Sequence, residues 1–207
     1  MTQNTSSAVM AQRREPKDSL DDFPTPPWAT RALCEFLLEH GLIWPGMSVR
    51  EPAANRGHMA RALGEYFSRV IASDVADYGA GFPIDDFLMP GNLETAHWTI
   101  TNPPFRLAEE FLFRALQTTR HGVALLGRTS FLEGIGRHER VFSQAAPDHV
   151  LQFSERVVMH KARLSKDGST ATAYCWLIWR KDGNNAGSTL HWTGVCRSRL
   201  ERPGDYP

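Results

Sequence analysis

Thr101-Asn102-Pro103-Pro104-Phe105 directly follows the apolar run His97–Thr101. Two successive prolines carry no backbone N–H. The segment therefore offers a rigid arc of acceptors, the Asn102 side-chain oxygen and the Pro103 carbonyl. Such an arc accepts both hydrogens of an NH2 group, and the Phe105 ring beside it can stack on a planar molecule. A structural Pro-Pro turn has the same composition, but the position right after a strand favours a site. Three other segments carry compatible chemistry. In Glu51-Pro52-Ala53-Ala54-Asn55-Arg56-Gly57 an acidic residue ends a strand, small side chains let a ligand approach the backbone, and Gly57 opens a helix. Asn55 stands where a dinucleotide loop has glycine, and Asn tolerates a left-handed backbone best among the other residues. Asp74, ending RVIASDV, is placed to accept both hydroxyls of a ribose. In Asp85-Asp86-Phe87-Leu88, a carboxylate that can accept from an exocyclic amine is followed by a ring that can cover a base. Each of these three also has a plain alternative: a strand–helix turn, a helix N-cap, a turn before an apolar anchor.

These turns are far apart in the chain and need a frame that collects them. The pattern supplies one. Leu33, Phe36, Leu37 and Leu38 recur at helical spacing behind Pro27 and stop at Gly41. Strands are then expected at 47–51, 69–75, 97–102, 122–128, 149–153 and 171–180, with short ones ending near Asp85 and at 190–195. Helices are expected at 57–67, 107–119 and 136–145. In 171–180, Tyr174, Trp176 and Ile178 fall on one face and Cys175, Leu177 and Trp179 on the other, so this strand lies between two layers. Its tryptophans read as core. Alternating strands and helices imply a parallel sheet covered on both faces, with ligands at the carboxyl ends of its strands. Residues 1–20 read as disordered and 182–207 as a loose tail.

Composition sets bounds. The 207 residues suit one domain, with 42% hydrophobic and 22% charged residues. Cys34, Cys175 and Cys196 are too few and scattered for a disulfide framework, so a reducing compartment, the cytoplasm, is expected. The eight histidines show no metal-binding spacing, and no apolar run suits a membrane span or a signal peptide. The 23 basic residues balance the 23 acidic ones, which taken whole argues against a nucleic-acid partner. The balance is a split, however. Residues 1–100 hold 8 Lys/Arg and 13 Asp/Glu, whereas 101–207 hold 15 and 10. The basic half includes Arg156, Lys161, Arg163 and Lys166, in a segment between strands that could track phosphates or simply be a solvated loop.

Taken in order, these segments resemble the S-adenosylmethionine-dependent amino-methyltransferases with an Asn-Pro-Pro-Phe motif, specifically the N6-adenine DNA methyltransferases. Phe23-Pro24-Thr25-Pro26-Pro27-Trp28 is similar to that family's cofactor-closing motif. The resemblance spans 21–181, and PTPPWATRAL, SDVADYGAG, ITNPPFRLAEEF and STATAYCWL are similar to small phage- and prophage-encoded members. Glu51 and Asn55 depart from the Asp and Gly common in the family, and a core over 21–181 is expected to leave these 207 residues no room for a separate target-recognition domain. The resemblance implies an α/β, Rossmann-like class I methyltransferase domain over 21–181. Its sheet would be mostly parallel and seven-stranded, with an antiparallel strand near the C-terminus and helices on both faces. It implies methyl transfer to the N6 amine of adenine in DNA, with RNA adenine or a protein glutamine amide as other acceptors. A non-catalytic regulator that binds DNA or cofactor is the remaining alternative. Thr25, Pro26, Glu51, Pro52, Ala53, Asn55, Gly57, Asp74, Asp86, Phe87 and Asn102 would bind S-adenosyl-L-methionine. Asn102, Pro103, Pro104 and Phe105 would be catalytic. Phe105 would also meet the substrate, with Arg156, Lys161, Arg163 and Lys166. No metal and no membrane are implied, and the oligomeric state is left open.

Overall fold

Pro27, with its fixed φ, begins helix α1 (Pro27–Glu39), which ends where His40 and the left-handed Gly41 (φ +64°) turn the chain. The structure, a computed structural model, describes residues 21–183 and 187–206. The segment 1–20, expected to be disordered, lies outside the described residues. After α1 come β1 (Ser48–Glu51), α2 (His58–Leu63), β2 (Arg69–Ala72), β3 (Ala96–Thr101), α3 (Ala108–Thr118) and β4 (Thr119–Arg128). Then follow α4 (Ile135–Arg137), β5 (His149–Gln152), β6 (Tyr174–Arg180), β7 (Thr189–Trp192) and α5 (Arg197–Leu200). No helix among the described residues is long and apolar enough to cross a membrane.

The strands form one sheet in the order β2-β1-β3-β4-β6-β5-β7. Every neighbouring pair is parallel except the two made by β6, which runs against β4 and β5. The sheet is thus seven-stranded and mostly parallel, with its antiparallel strand near the C-terminus. From β1 the chain goes outward to β2, then crosses back to β3 on the other side. The crevice between the ends of β1 and β3 is the switch point of the sheet.

Both faces are covered. Tyr174, Trp176 and Ile178 of β6 join Ala124 and Leu126 of β4 and the apolar side of α1 in one core. Cys175, Leu177 and Trp179 join Val123, Leu125 and the α3 residues Phe111, Leu112 and Ala115 in the other. The indoles of Trp176 and Trp179 donate to the Ala29 and Ala145 carbonyls at 3.0 and 2.9 Å, so both are satisfied core residues. Gly122 of β4 pairs with Trp98 of β3, and a Cβ there would lie 2.5 Å from the indole ring. We expect Gly122→Ala to destabilise the fold by ~1–3 kcal/mol, read as a lower denaturation midpoint at unchanged slope.

Several boundaries differ from the sequence reading. The strand expected to end near Asp85 is a single bridge between Asp74 and Ile84. Gly79 and Gly81 take positive φ, and Pro83 has no N–H, so the ladder cannot extend. Helix 57–67 stops at Leu63, and the turn beyond it buries Phe67. Helix 136–145 is the short α4 followed by a π-helical turn, His138–Phe142, which buries Val141. The first residues of 171–180 are not strand, and β4 starts three residues early. The C-terminal segment is docked, not loose. Arg31, 3% exposed, donates to both Asp205 carboxylate oxygens, the Leu200 carbonyl and Glu65. A buried guanidinium needs such partners, and residues 200–205 supply most of them.

Candidate active site

Glu51 is the last residue of β1, Asn102 follows β3, and Asp74 follows β2. The sheet brings all three to one cleft at the switch point, together with Thr25, Pro52, Ala53, Asn55, Asp86 and Phe87. Pro26 is buried as the N-cap of α1, and Gly57 is buried as the N-cap of α2, outside the lining of the cleft. Phe87 is both wall and core. It is 2% exposed and packs its ring 5.2 Å from Phe111. Asp86 is exposed and accepts the Leu88 N–H at 3.0 Å.

The loop after β1 is shaped by backbone conformation. Asn55 has φ +51° and Gly57 φ +77°. A Cβ on Gly57 would meet the Phe82 ring at 2.8 Å, so glycine is required there on two counts. Asp74 holds this loop, accepting the N–H groups of Asn55 at 2.8 Å and Ala76 at 3.1 Å. Burial nonetheless raises its carboxyl above the ordinary range against these bonds.

Polar atoms without partners mark what the cleft is built to receive. Thr25 Oγ1, Glu51 Oε2 and Asn102 Oδ1 are buried and make no hydrogen bond. Leaving such atoms unpaired is costly, so their grouping in one cleft points to a polar ligand. Glu51 is 2% exposed. Burial, and after it the Asp74 carboxylate, push its carboxyl well above the usual range. His58, also on the wall, is lowered to about 4 by burial and the nearby Arg61 and Arg56, and is neutral at pH 7.

The loop after β3 alternates between two hollows. Asn102 and Pro104 line the cleft, whereas Pro103 and Phe105 line a second hollow with Arg128 and Phe131. Asn102 Nδ2 donates to the Phe23 carbonyl at 2.9 Å and also meets the Met159 sulfur at 3.8 Å. This anchoring of the nitrogen leaves Oδ1 as the free acceptor. The Arg128 guanidinium lies 4.4 Å over the Phe105 ring.

The basic segment is only partly collected. Asp22 accepts the Ala162 N–H on its carbonyl at 2.8 Å, which sets Lys161 and Arg163 beside the site. Both are exposed. Lys166 turns away to an ion pair with Glu201 at 3.4 Å, and Arg156 reaches toward the Ala171 carbonyl.

Sequence reasoning missed Asp21, Asp22 and Arg56. Asp22 pairs with Arg56 at 2.8 Å and accepts from Asn55 Nδ2 at 2.8 Å. Burial alone would raise its carboxyl, but the bonds and charge of Arg56, with Asn55, bring it below the usual range. The signal was two adjacent acids just ahead of the Pro-rich segment.

No protein-family model matches this chain, and no curated protein matches it in sequence. Solved structures do. A Listeria monocytogenes protein assigned as a class I S-adenosylmethionine-dependent methyltransferase superposes with a TM-score of 0.62 at 11% identity, over 85% of this chain and 68% of that one. The type I restriction-modification system methyltransferase subunit of Streptococcus thermophilus gives 0.61 at 12% identity, over 91% of this chain. This chain spans only half, 50%, of that subunit's length. The magnesium protoporphyrin IX methyltransferase of Synechocystis PCC 6803, with SAM bound, gives 0.53 at 11%, over 74% and 79%. At such identities the likeness speaks for the fold alone, and the fold is the Rossmann-like one of the class I methyltransferases.

Proposed function

We propose that this chain is an S-adenosylmethionine-dependent methyltransferase that methylates the exocyclic N6 amine of adenine in DNA. The observation that carries the reading is the buried, unpartnered Asn102 Oδ1, fixed beside two prolines at the switch point. Porphyrin and restriction-modification enzymes share the fold, so the fold does not choose the acceptor, and the loop chemistry must.

The cleft residues fit the cofactor. Glu51 offers the unpartnered Oε2 of its carboxyl to a cationic group, the Ala53–Gly57 backbone would be open to close approach, and Thr25 Oγ1 lacks a partner. Asp74 would serve the ribose, and Asp86 with Phe87 the adenine ring. When bound, S-adenosylmethionine supplies an electrophilic methyl group on a sulfonium centre. Asn102 Oδ1 and the Pro103 carbonyl would each accept one hydrogen of the acceptor amine. That draws the nitrogen toward a tetrahedral shape, with its lone pair out of the ring system. Phe105 would hold the base plane, and most of the rate would come from positioning, which can supply roughly 7–11 kcal/mol. No strong base is required, because the amine loses its proton only after it has become cationic. A base in a duplex must first leave the stack, at a cost of a few kcal/mol.

The test is incubation with methyl-labelled cofactor and adenine-containing DNA, single- and double-stranded, followed by nucleoside analysis. N6-methyladenine is expected. Label on RNA alone, or on a protein band alone, would move the acceptor, and no label with folded protein would overturn the reading. Lys161 and Arg163 are the candidate phosphate contacts. Replacing both with Ala should weaken DNA binding at every sequence and flatten the slope of log K against log salt by about 2.

A further inference from the structure

We propose that Asp21 and Phe23 tune the catalytic loop for an amino group by taking up the Asn102 side-chain nitrogen and the Phe105 N–H, which leaves acceptors facing the substrate. This rests on the functional reading above. Pro103 and Pro104 have no N–H, so the first backbone donor after Asn102 belongs to Phe105. That N–H donates to Asp21 Oδ2 at 2.7 Å. The other donor, Asn102 Nδ2, is held by the Phe23 carbonyl at 2.9 Å. Both acceptors come from one short strap, which is itself fastened. Phe23 N–H donates to the Asp21 carbonyl at 2.9 Å. Asp22 holds Arg56 and Asn55 on one side and the Ala162 N–H on the other.

The consequence is directional. If the Asn102 amide flipped, its oxygen would face the Phe23 carbonyl with no proton between them, so the strap fixes Oδ1 toward the cleft. An amine entering there meets acceptors. A carbonyl in its place, as in hypoxanthine, meets acceptors only and leaves both sides unpaired, which is the mismatch that polar sites reject most strongly. A carboxylate grips an N–H more strongly than a neutral oxygen does, which explains an acid at position 21. Asp21 and Phe23 act through the loop and are positioning residues.

The experiment uses the full chain as wild type, Asp21→Ala and Asp21→Asn. Asp21→Ala should lower kcat about 10–100-fold while the cofactor Kd stays within about 3-fold. Asp21→Asn should recover to within about 5-fold, because its amide oxygen accepts the same N–H. The preference for adenine- over hypoxanthine-containing oligonucleotide in competition should narrow about 10-fold in Asp21→Ala. Full kcat or full discrimination in Asp21→Ala, or an Asn variant as impaired as the Ala one, overturns the proposal. Amide hydrogen exchange at Phe105 gives a readout that needs no turnover. It should be slow in wild type and Asp21→Asn and at least about 10-fold faster in Asp21→Ala. Unchanged exchange overturns the proposal. Slow, Asp21-dependent exchange in a chain that methylates no amine supports the strap and overturns the functional reading instead.

Discussion

Asn102→Ala is expected to lower kcat by about 10²–10³-fold while S-adenosylmethionine still binds. The loss has two sources in one side chain. Removing Oδ1 deletes one of two acceptors for the amine, and removing Nδ2 frees the Phe23 carbonyl from the loop. Asn102→Asp separates them. It keeps an acceptor toward the cleft but sets a second oxygen against the Phe23 carbonyl, so the strap is repelled. We expect Asn102→Asp to retain measurable turnover and to weaken cofactor binding more than Asn102→Ala does. Single-turnover rates with titrated cofactor check both. Near-normal turnover in Asn102→Ala would remove the loop from the chemistry.

Glu51→Gln should make the ligand-free protein more stable at neutral pH and the cofactor bind about 10–100-fold more weakly. Burial, and then Asp74, raise the folded-state carboxyl of Glu51 above its ordinary value of 4.5. A raised folded value means that the folded chain binds the proton more tightly than the unfolded one. The resulting stability is fully present below the ordinary carboxylate value and is lost as pH rises through the raised one. Asp74, raised by its own burial, adds to the same slope. Gln cannot ionise, so its unfolding midpoint should rise relative to wild type above that window, at about 2–4 °C per kcal/mol for a chain of this size. Binding a cationic ligand favours ionised Glu51. Calorimetry in buffers of different ionisation enthalpy should therefore show proton release on binding that disappears in Glu51→Gln. A variant no more stable than wild type at pH 7, with unchanged affinity, would mean that Glu51 is neutralised within the fold.

Much of this was legible from local pattern. The two-sided alternation of Tyr174–Arg180 places a strand between two cores, because side chains on a strand point to opposite faces by geometry alone. Pro27 fixes its own φ, and Gly41 and Asn55 are residue types that tolerate the positive φ they take. Boundaries were less legible. The strand near Asp85 fails on two glycines and a proline, and the helix after Gly136 takes a π turn that no periodicity announces.

The sequence by itself determined the chemistry of the loop, since two prolines delete their own donors wherever they stand, and the α/β frame, since alternation is local. Only the tertiary structure decided which atoms stay free. That Asp21 meets Phe105, that Phe23 holds Asn102, and that Lys166 turns to Glu201 while Lys161 and Arg163 stay at the site depend on pairings across 35 to 140 positions of chain. Such pairings are set by the crossover at the switch point, and a hydrogen bond between distant residues leaves no periodic trace in either segment.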